Sequence, residues 1–551
     1  MKTFPMKSNN MNRLLSHTIA LVLMTVSTTT IAQHKRDSLQ NQTVTVVKSY
    51  TPTVRDADKI SVNPPPDPEA DFTKIPQTYT PLDIEAVSTY MAEKGKLVRP
   101  SVKTTRLDNI PGYLELGVGN EKAFRLKTFY DHNLQNGLNA GGSLSFFSLG
   151  NTRYDSLRLN AFSDFNVEIF ARKKTDVSRW SVKAGYEANR SAYRDTLTPL
   201  QVLKTPFTNH GIGLQTEGTF YENFFRSVEV RYRYLSAYTG YEHSVKLGSG
   251  LLFPLAGFDI ETKLSAALSN GNAETGYSNW QAGIQPAFRY ERERFLFKLG
   301  FKLFYQNRTD INDAVLFYPD VAVEYNMIPE MLTLYLRYEG GIKTRSYNEL
   351  LNDNRYIAPV KALKPTSTPY HFKGGFKGAI GTRMNFNLSL GMVQEKNRPL
   401  LILTNRPEGL TLTPVYDDLD YFYFKTHLSY VANEHFETKL KFDYYQYTPQ
   451  TQPKAWNSED YKVSWLLRFN IGKFDGRSNL YYIGPRYDLW NGNTVKTGET
   501  VDVNLAMGYK LLQGLYIYAE ANNLLNRRDW LYYQYPVHGL HILAGVVYSF
   551  K

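Results

Sequence analysis

The chain has 551 residues, 14% of them aromatic, no cysteine, a formal net charge of +12 and a mean hydropathy of −0.41. Without cysteine, disulfides, thiolate chemistry and a cysteine-linked lipid anchor are excluded. The cationic excess is spread rather than clustered, which argues against nucleic acid and suits a surface near lipid phosphates.

The N-terminus carries an export address. Lys2, Lys7 and Arg13 precede the apolar core "TIALVLMTV" (Thr18–Val26), and "TTTIAQ" then offers a small-residue cleavage point after Ala32. That core is too short to span a bilayer as a helix, so residues 1–32 read as a cleaved signal peptide. With those three cations removed the formal charge falls from +12 to +9. No later run reaches the length of a transmembrane helix, so any membrane the mature chain inhabits must be crossed by strands.

Residues 33–110 differ from the rest of the mature chain. Counting Pro111 they hold nine of the 26 prolines, with "NPPPDP" (Asn63–Pro68) at the centre. Such a stretch is extended and semi-rigid. It is expected to form a periplasmic arm or a partial occlusion of a barrel lumen, with one short helix around Ile84–Lys94.

From Gly112 onward the hydrophobic period is two. "FDIETKLSAAL" sets Phe258, Ile260, Leu264 and Leu268 against Asp259, Glu261, Lys263 and Ser265. "FLFKLGFKLFY" sets Phe295, Leu299, Phe301 and Leu303 against Lys298 and Lys302. "MNFNLSLGM", "FETKLKFDY" and "VDVNLAMGYKL" repeat the pattern, with Glu437, Lys439, Lys441, Asp443, Asp502 and Lys510 on the polar face. Strands alternate their side chains between two faces. These runs match the ~9–11 tilted residues that cross a bilayer, against about five or six in a soluble strand. Connections alternate long and short, as in outer-membrane barrels with short periplasmic turns and long outer loops. The longest, 344–369 and 394–420, are the best candidates for ligand or partner contact. "RPLLILTN" (Arg398–Asn405) either folds into the mouth, docks a partner, or extends a strand above the membrane. The expected fold is an all-β transmembrane antiparallel barrel over 111–551, with about 22 strands and 20 as the alternative.

The last strand, "GLHILAGVVYSFK", places Leu540, Ile542, Ala544, Val546, Tyr548 and Phe550 on one face, expected to touch lipid. Val546, Tyr548 and Phe550 resemble the C-terminal signal read by barrel-assembly machinery. The final "YIYAEANNLLNRRDWLYYQYPVHGLHILAGVVYSFK" resembles the last two strands of TonB-dependent receptors. It has an "N-L-x-N"-type turn at Asn522, Asn523, Leu524, Leu525 and Asn526, then Tyr535, Pro536 and Gly539. The short signal ending in "AQ" and the proline-rich lead-in are similar to Bacteroidota outer-membrane proteins. The resemblance implies solute binding and uptake, and a TonB box for which Thr43, Val44, Thr45, Val46 and Val47 are the match. Strand addition of that kind binds through the main chain. Family members carry a globular plug of well over a hundred residues. Here 33–110 is shorter and proline-rich, so the full plug is expected to be missing.

No H-E-x-x-H, G-x-S-x-G or phosphate-binding loop occurs. His538 and His541, three apart, point to opposite faces if both lie on the strand, so a shared ion would need the loop to bend. His427 and His435, on neighbouring strands near a turn, read as interfacial. No catalytic residue, metal site or cofactor is expected, and the ligand-binding residues are unknown. Inward charges of both signs read as a partly ion-paired lumen wall. The expected location is the cell outer membrane, among lipid and lipopolysaccharide, with the barrel-assembly machinery and TonB or another envelope protein as partners. Uptake or passage of a solute is the leading function. A non-transporting barrel that scaffolds an envelope complex through its arm and loops is the alternative.

Overall fold

The structure is a computed structural model. It describes residues 111–550 apart from 135, 151–152, 155–156, 159–160, 195–205, 222–223, 239, 256–257, 309–310, 330 and 361–362. The signal peptide, the proline-rich arm, its expected helix and Thr43–Val47 lie outside the described residues.

Twenty-two antiparallel strands form the wall. In chain order β1 to β6 are Gly112–Gly119, Phe124–Asn133, Leu138–Leu149, Phe162–Lys174, Ser178–Ser191 and Phe207–Phe220. Strands β7 to β12 are Phe225–Ala237, Gly240–Leu255, Phe258–Asn272, Gly276–Arg292, Phe295–Arg308 and Ile311–Ile328. Strands β13 to β17 are Leu332–Lys343, Thr366–Ile380, Met384–Arg406, Gly409–Asn433 and Phe436–Pro449. Strands β18 to β22 are Tyr461–Ile471, Phe474–Trp490, Asn493–Leu512, Leu515–Asn522 and His541–Phe550.

Each strand pairs with its sequence neighbours. The ring closes where β1 pairs with β22 along its whole length, from Gly112↔Phe550 to Gly119↔Leu543. Closure removes both sheet edges, so every wall strand has two partners. The 22-strand count and the strand order agree with the period-two reading. The long connections 344–365, 450–460 and 523–540 all fall at one end, but β7–β8, β9–β10 and β11–β12 at that end are joined by only two or three residues, so the long–short alternation holds only in part. Among the described residues no helix is long and apolar enough to cross a membrane.

Outward positions carry the apolar side chains. Leu264, Leu268, Leu299, Phe301, Val315, Phe317, Leu336, Phe372 and Leu440 are all exposed. On β22 so are Ile542, Val546 and Tyr548, while the alternate His541, Leu543 and Val547 are buried on the inner face. An apolar exterior of this extent is costly in water and suits hydrocarbon.

Two strand ends differ from expectation. β15 and β16 run to Arg406 and start again at Gly409, so 394–420 is a tall hairpin rather than a loop. β19 and β20 likewise rise as a tall hairpin, turning at 491–492. "RPLLILTN" is the upper part of β15. It sits past a bulge between Glu395 and Arg398, where Asn397 adopts φ +54° and donates its N–H to Asp418 at 2.9 Å. Bulges bend a strand and sharpen its twist, and this one redirects the hairpin top.

Candidate functional site at the long-loop mouth

The hairpin top carries leucines on both faces: Leu400, Leu403, Leu410 and Leu412 are all buried. A strand standing free above a membrane would bury neither face. Their partners come from around the ring. Leu403, Leu410 and Leu412 share one apolar cluster with Leu235 at the end of β7 and Tyr277 on β10. Tyr347, Leu350, Ile357, Val360 and Leu363 from the β13–β14 loop complete it, with Tyr535 from the β21–β22 loop.

The polar contacts show how far this layer reaches. Leu410 N–H donates to Arg194 O at 2.9 Å, joining the β15–β16 hairpin to the β5–β6 loop. Those connections lie ten strands apart in a ring of 22, nearly opposite each other. Tyr535 ties both to the β21–β22 loop. Its hydroxyl donates to Leu410 O and accepts from Arg194 N–H. Burial, then the neighbouring Tyr356, pushes the Tyr535 phenol far above its ordinary range, so it remains a neutral donor.

The β13–β14 loop is the second arm. It contains the short helix α1 (Tyr347–Asp353), started by the S-x-x-E pattern of Ser346 and Glu349. The Ser346 hydroxyl accepts from Glu349 N–H at 3.1 Å. Glu242 on β8 takes the remaining first-turn donors. Its carboxylate accepts from Tyr347 N–H at 2.7 Å, Asn348 N–H at 3.2 Å and the Tyr277 hydroxyl at 2.6 Å. Lys246 reaches Glu349 at 2.5 Å. Further along, Arg355 pairs with both oxygens of Asp164 on β4, at 3.2 and 3.1 Å, with its guanidinium over Phe162. Burial acts against the Arg355 charge, and Asp164 then Tyr356 more than offset it. Since β4 and the β13–β14 loop are also far apart in the ring, this pair spans the mouth.

The two arms join each other. Leu412 N–H donates to Tyr356 O at 2.9 Å and Ala358 N–H to Leu412 O at 2.8 Å, a parallel bridge of Ile357 with Leu412. Arg406 pairs with Glu274 of the β9–β10 loop at 3.0 Å. Asn457 and Asp488 hold the other side through Leu401 O and Leu403 N–H. The stretches 344–369 and 394–420, read separately from sequence, are thus brought together as one layer. The signal that could have linked them is the unbroken apolar run Leu400–Leu403, which a one-sided strand does not need.

The other residues singled out in the sequence have these places. Val546, Tyr548 and Phe550 lie on β22 opposite Leu116, Leu114 and Gly112. His538 lies in the loop before β22 rather than on the strand and bonds Glu121 at 2.9 Å, and His541 is buried beside Asn522. Among the described residues no group of three or more His, Asp or Glu is placed to hold a metal ion. His427 faces Asp443 at 3.4 Å, and His435 lies at the exposed turn beside Glu434. The inner wall is largely ion-paired: Lys298 with Asp320, Arg289 with Glu261, Lys439 with Glu437.

No family model matches the sequence, and no curated protein matches it. Solved structures do. The FrpB iron transporter from Neisseria meningitidis (F5-1 variant) aligns with a TM-score of 0.62 at 11% identity, over 81% of this chain and 83% of that one. The copper transporter OprC aligns with a TM-score of 0.61 at 12% identity, over 81% and 82%. The pyoverdine outer membrane receptor FpvA from Pseudomonas aeruginosa PAO1 aligns with a TM-score of 0.60 at 11% identity, over 81% and 79%. At these identities the likeness is one of fold.

Proposed function

We infer that the chain is an outer-membrane barrel that binds a solute at its long-loop mouth and takes it up, its loop layer acting as the gate. The observation that carries this is the bonding of the β15–β16 hairpin to loops on the opposite side of the ring. A permanently open pore has no use for a loop layer with its own apolar core. A scaffold has no need to close its mouth. Opening must break several hydrogen bonds, each worth roughly 1 kcal/mol net, and expose part of the apolar cluster. A solute opens the gate only by binding the open arrangement better than the closed one.

The supporting facts are the apolar exterior, the gathering of the longest connections at one end, and the barrel likeness to proteins described as iron and copper transporters and a pyoverdine receptor. The resemblance of the last strands to TonB-dependent receptors adds an energy source. On this reading residues 1–32 are removed on export, residues 33–110 form the periplasmic arm, and residues 111–551 are the barrel. Thr43–Val47 adds as a strand to TonB, and Val546, Tyr548 and Phe550 are read during assembly.

The test uses the absence of native cysteine. Arg194 and Leu410 are bridge partners, at a separation that suits a disulfide. The double variant R194C/L410C is placed in planar bilayers and in cells. Oxidation is expected to abolish solute-induced conductance and uptake, and reductant to restore both. Steady conductance of the cross-linked protein, equal to that of the reduced form, overturns the gate.

A further inference from the structure

On the inner wall below the hairpin, strands β11 to β17 carry a cluster that no part of the loop layer uses. Arg337 on β13 stands directly opposite Lys373 on β14 in the antiparallel register. Like charges so placed destabilise a sheet unless something neutralises them. Arg337 is answered by Glu324 at 2.9 Å, but Lys377 takes the other oxygen of that carboxylate at 2.6 Å. Glu339 lies near Lys302 and His371, at 3.8 and 3.7 Å. Asp443 is opposite Lys425 in register, yet its oxygen contacts His427. Three carboxylates thus face the five cations Lys302, Arg337, Lys373, Lys377 and Lys425. Among the described residues neither Lys373 nor Lys425 makes an ion pair.

These ammonium groups are held in place. The Lys425 Nζ lies 4.9 Å above the Tyr423 ring and 5.0 Å above that of Tyr445. The Nζ atoms of Lys373 and Lys377 each lie 5.7 Å from the Tyr335 ring centre. The rings are themselves fixed flat on the wall over glycines. A Cβ on Gly391 would run into the Tyr423 ring, and one on Gly375 would meet the Tyr335 hydroxyl at 2.7 Å. Tyr423 bonds His371 at 2.7 Å and Tyr335 donates to Asn387 at 2.8 Å. Lys373, Gly391 and Tyr423 stand in one cross-strand row, and Lys425 is two residues further along β16. Cation–π contact orients an ammonium without neutralising it.

We propose that Lys373, Lys425 and Arg337 form an oxyanion station in the lumen for a small solute bearing two or more carboxylate or phosphate groups. The proposal rests on the uptake reading, which it deepens by naming the substrate class. Two ammonium points and one planar guanidinium suit several anionic oxygens better than one.

The test is titration calorimetry on the purified mature chain in detergent at low salt, with citrate and inorganic pyrophosphate as probes and acetate as the single-charge comparison. A second protein with the hairpin shortened between residues 399 and 415 removes the gate as a barrier. Binding of citrate or pyrophosphate is expected, at least in the shortened protein, with acetate much weaker. K373Q and K425Q each weaken it by roughly tenfold, one lost charged contact. K263Q, a lumen lysine on β9, leaves it unchanged. All variants are first checked for the gel-mobility shift of a folded barrel. No binding to the shortened protein, or equal binding by the K373Q/K425Q double variant, overturns the station. Charge-dependent binding, together with conductance that ignores the R194C/L410C cross-link, supports the station and sinks only the gate.

Discussion

Arg125 shows what a single side chain does in a closed wall. It is fully buried on β2 and makes two bonds to Glu520 on β21, at 2.9 and 2.8 Å, and one to Glu115 on β1 at 3.3 Å. The Tyr518 hydroxyl adds a bond to Glu115 at 2.7 Å. The cluster links strands on both sides of β22, where the two ends of the wall meet, so it fastens the seam. Removing only the cation strands two buried carboxylates, a change that costs about 3–5 kcal/mol. R125M is therefore expected to lower markedly the temperature at which the folded band converts in SDS gels. Y518F, which loses one hydrogen bond worth roughly 1 kcal/mol, should lower it only slightly. An R125M barrel as heat-resistant as the parent would show that the seam does not depend on this cluster. The alternation predicts that Glu115 and Arg125 face inward, but nothing local announces a partner 395 positions away.

Elements were legible in proportion to how locally they are determined. Strands in the hydrocarbon zone alternate because one face meets lipid and the other the lumen, and that rule can be read within ten residues. Above the membrane the rule changes. The top of β15 is apolar on both faces because loops cover both, so Leu400, Leu401, Ile402 and Leu403 run on without alternation and read equally well as loop. The joining of the two longest loops depends on contacts made across the ring, which no local period encodes. Helix α1 lies between these cases. Its S-x-x-E start is local, but Glu242 comes from another strand. S346A should cost the usual cap loss of about 1 kcal/mol. E242A should cost more, since it leaves two backbone donors and the Tyr277 hydroxyl without their acceptor. Limited trypsin digestion at Arg345 and Arg355 reports this order. Cleavage is expected to be slow in the parent, faster in S346A and fastest in E242A. If E242A resists as well as the parent, the loop is held by its apolar contacts alone.

At the scale of the molecule the wall is uneven. β1 and β21 have eight residues each, while β15 and β16 have 23 and 25. The part of β15 beyond its bulge gives a reach of roughly 30 Å at the usual rise per residue, enough to carry the hairpin over the mouth. A barrel with this shape has a direction, because among the described residues it is the long-loop end that is covered. On the proposed reading that end faces outward, where solute is captured, and the short turns face the periplasm. Single cysteines in the cysteine-free chain test this directly. Thr494, exposed on the β19–β20 hairpin, and Glu434, exposed at the β16–β17 turn, mark opposite ends. In intact cells T494C should react with a membrane-impermeant maleimide, and E434C only after the outer membrane is breached. The reverse pattern would leave the barrel standing but put the gate on the periplasmic side. There it could not select an incoming solute, and the uptake reading would fail with it.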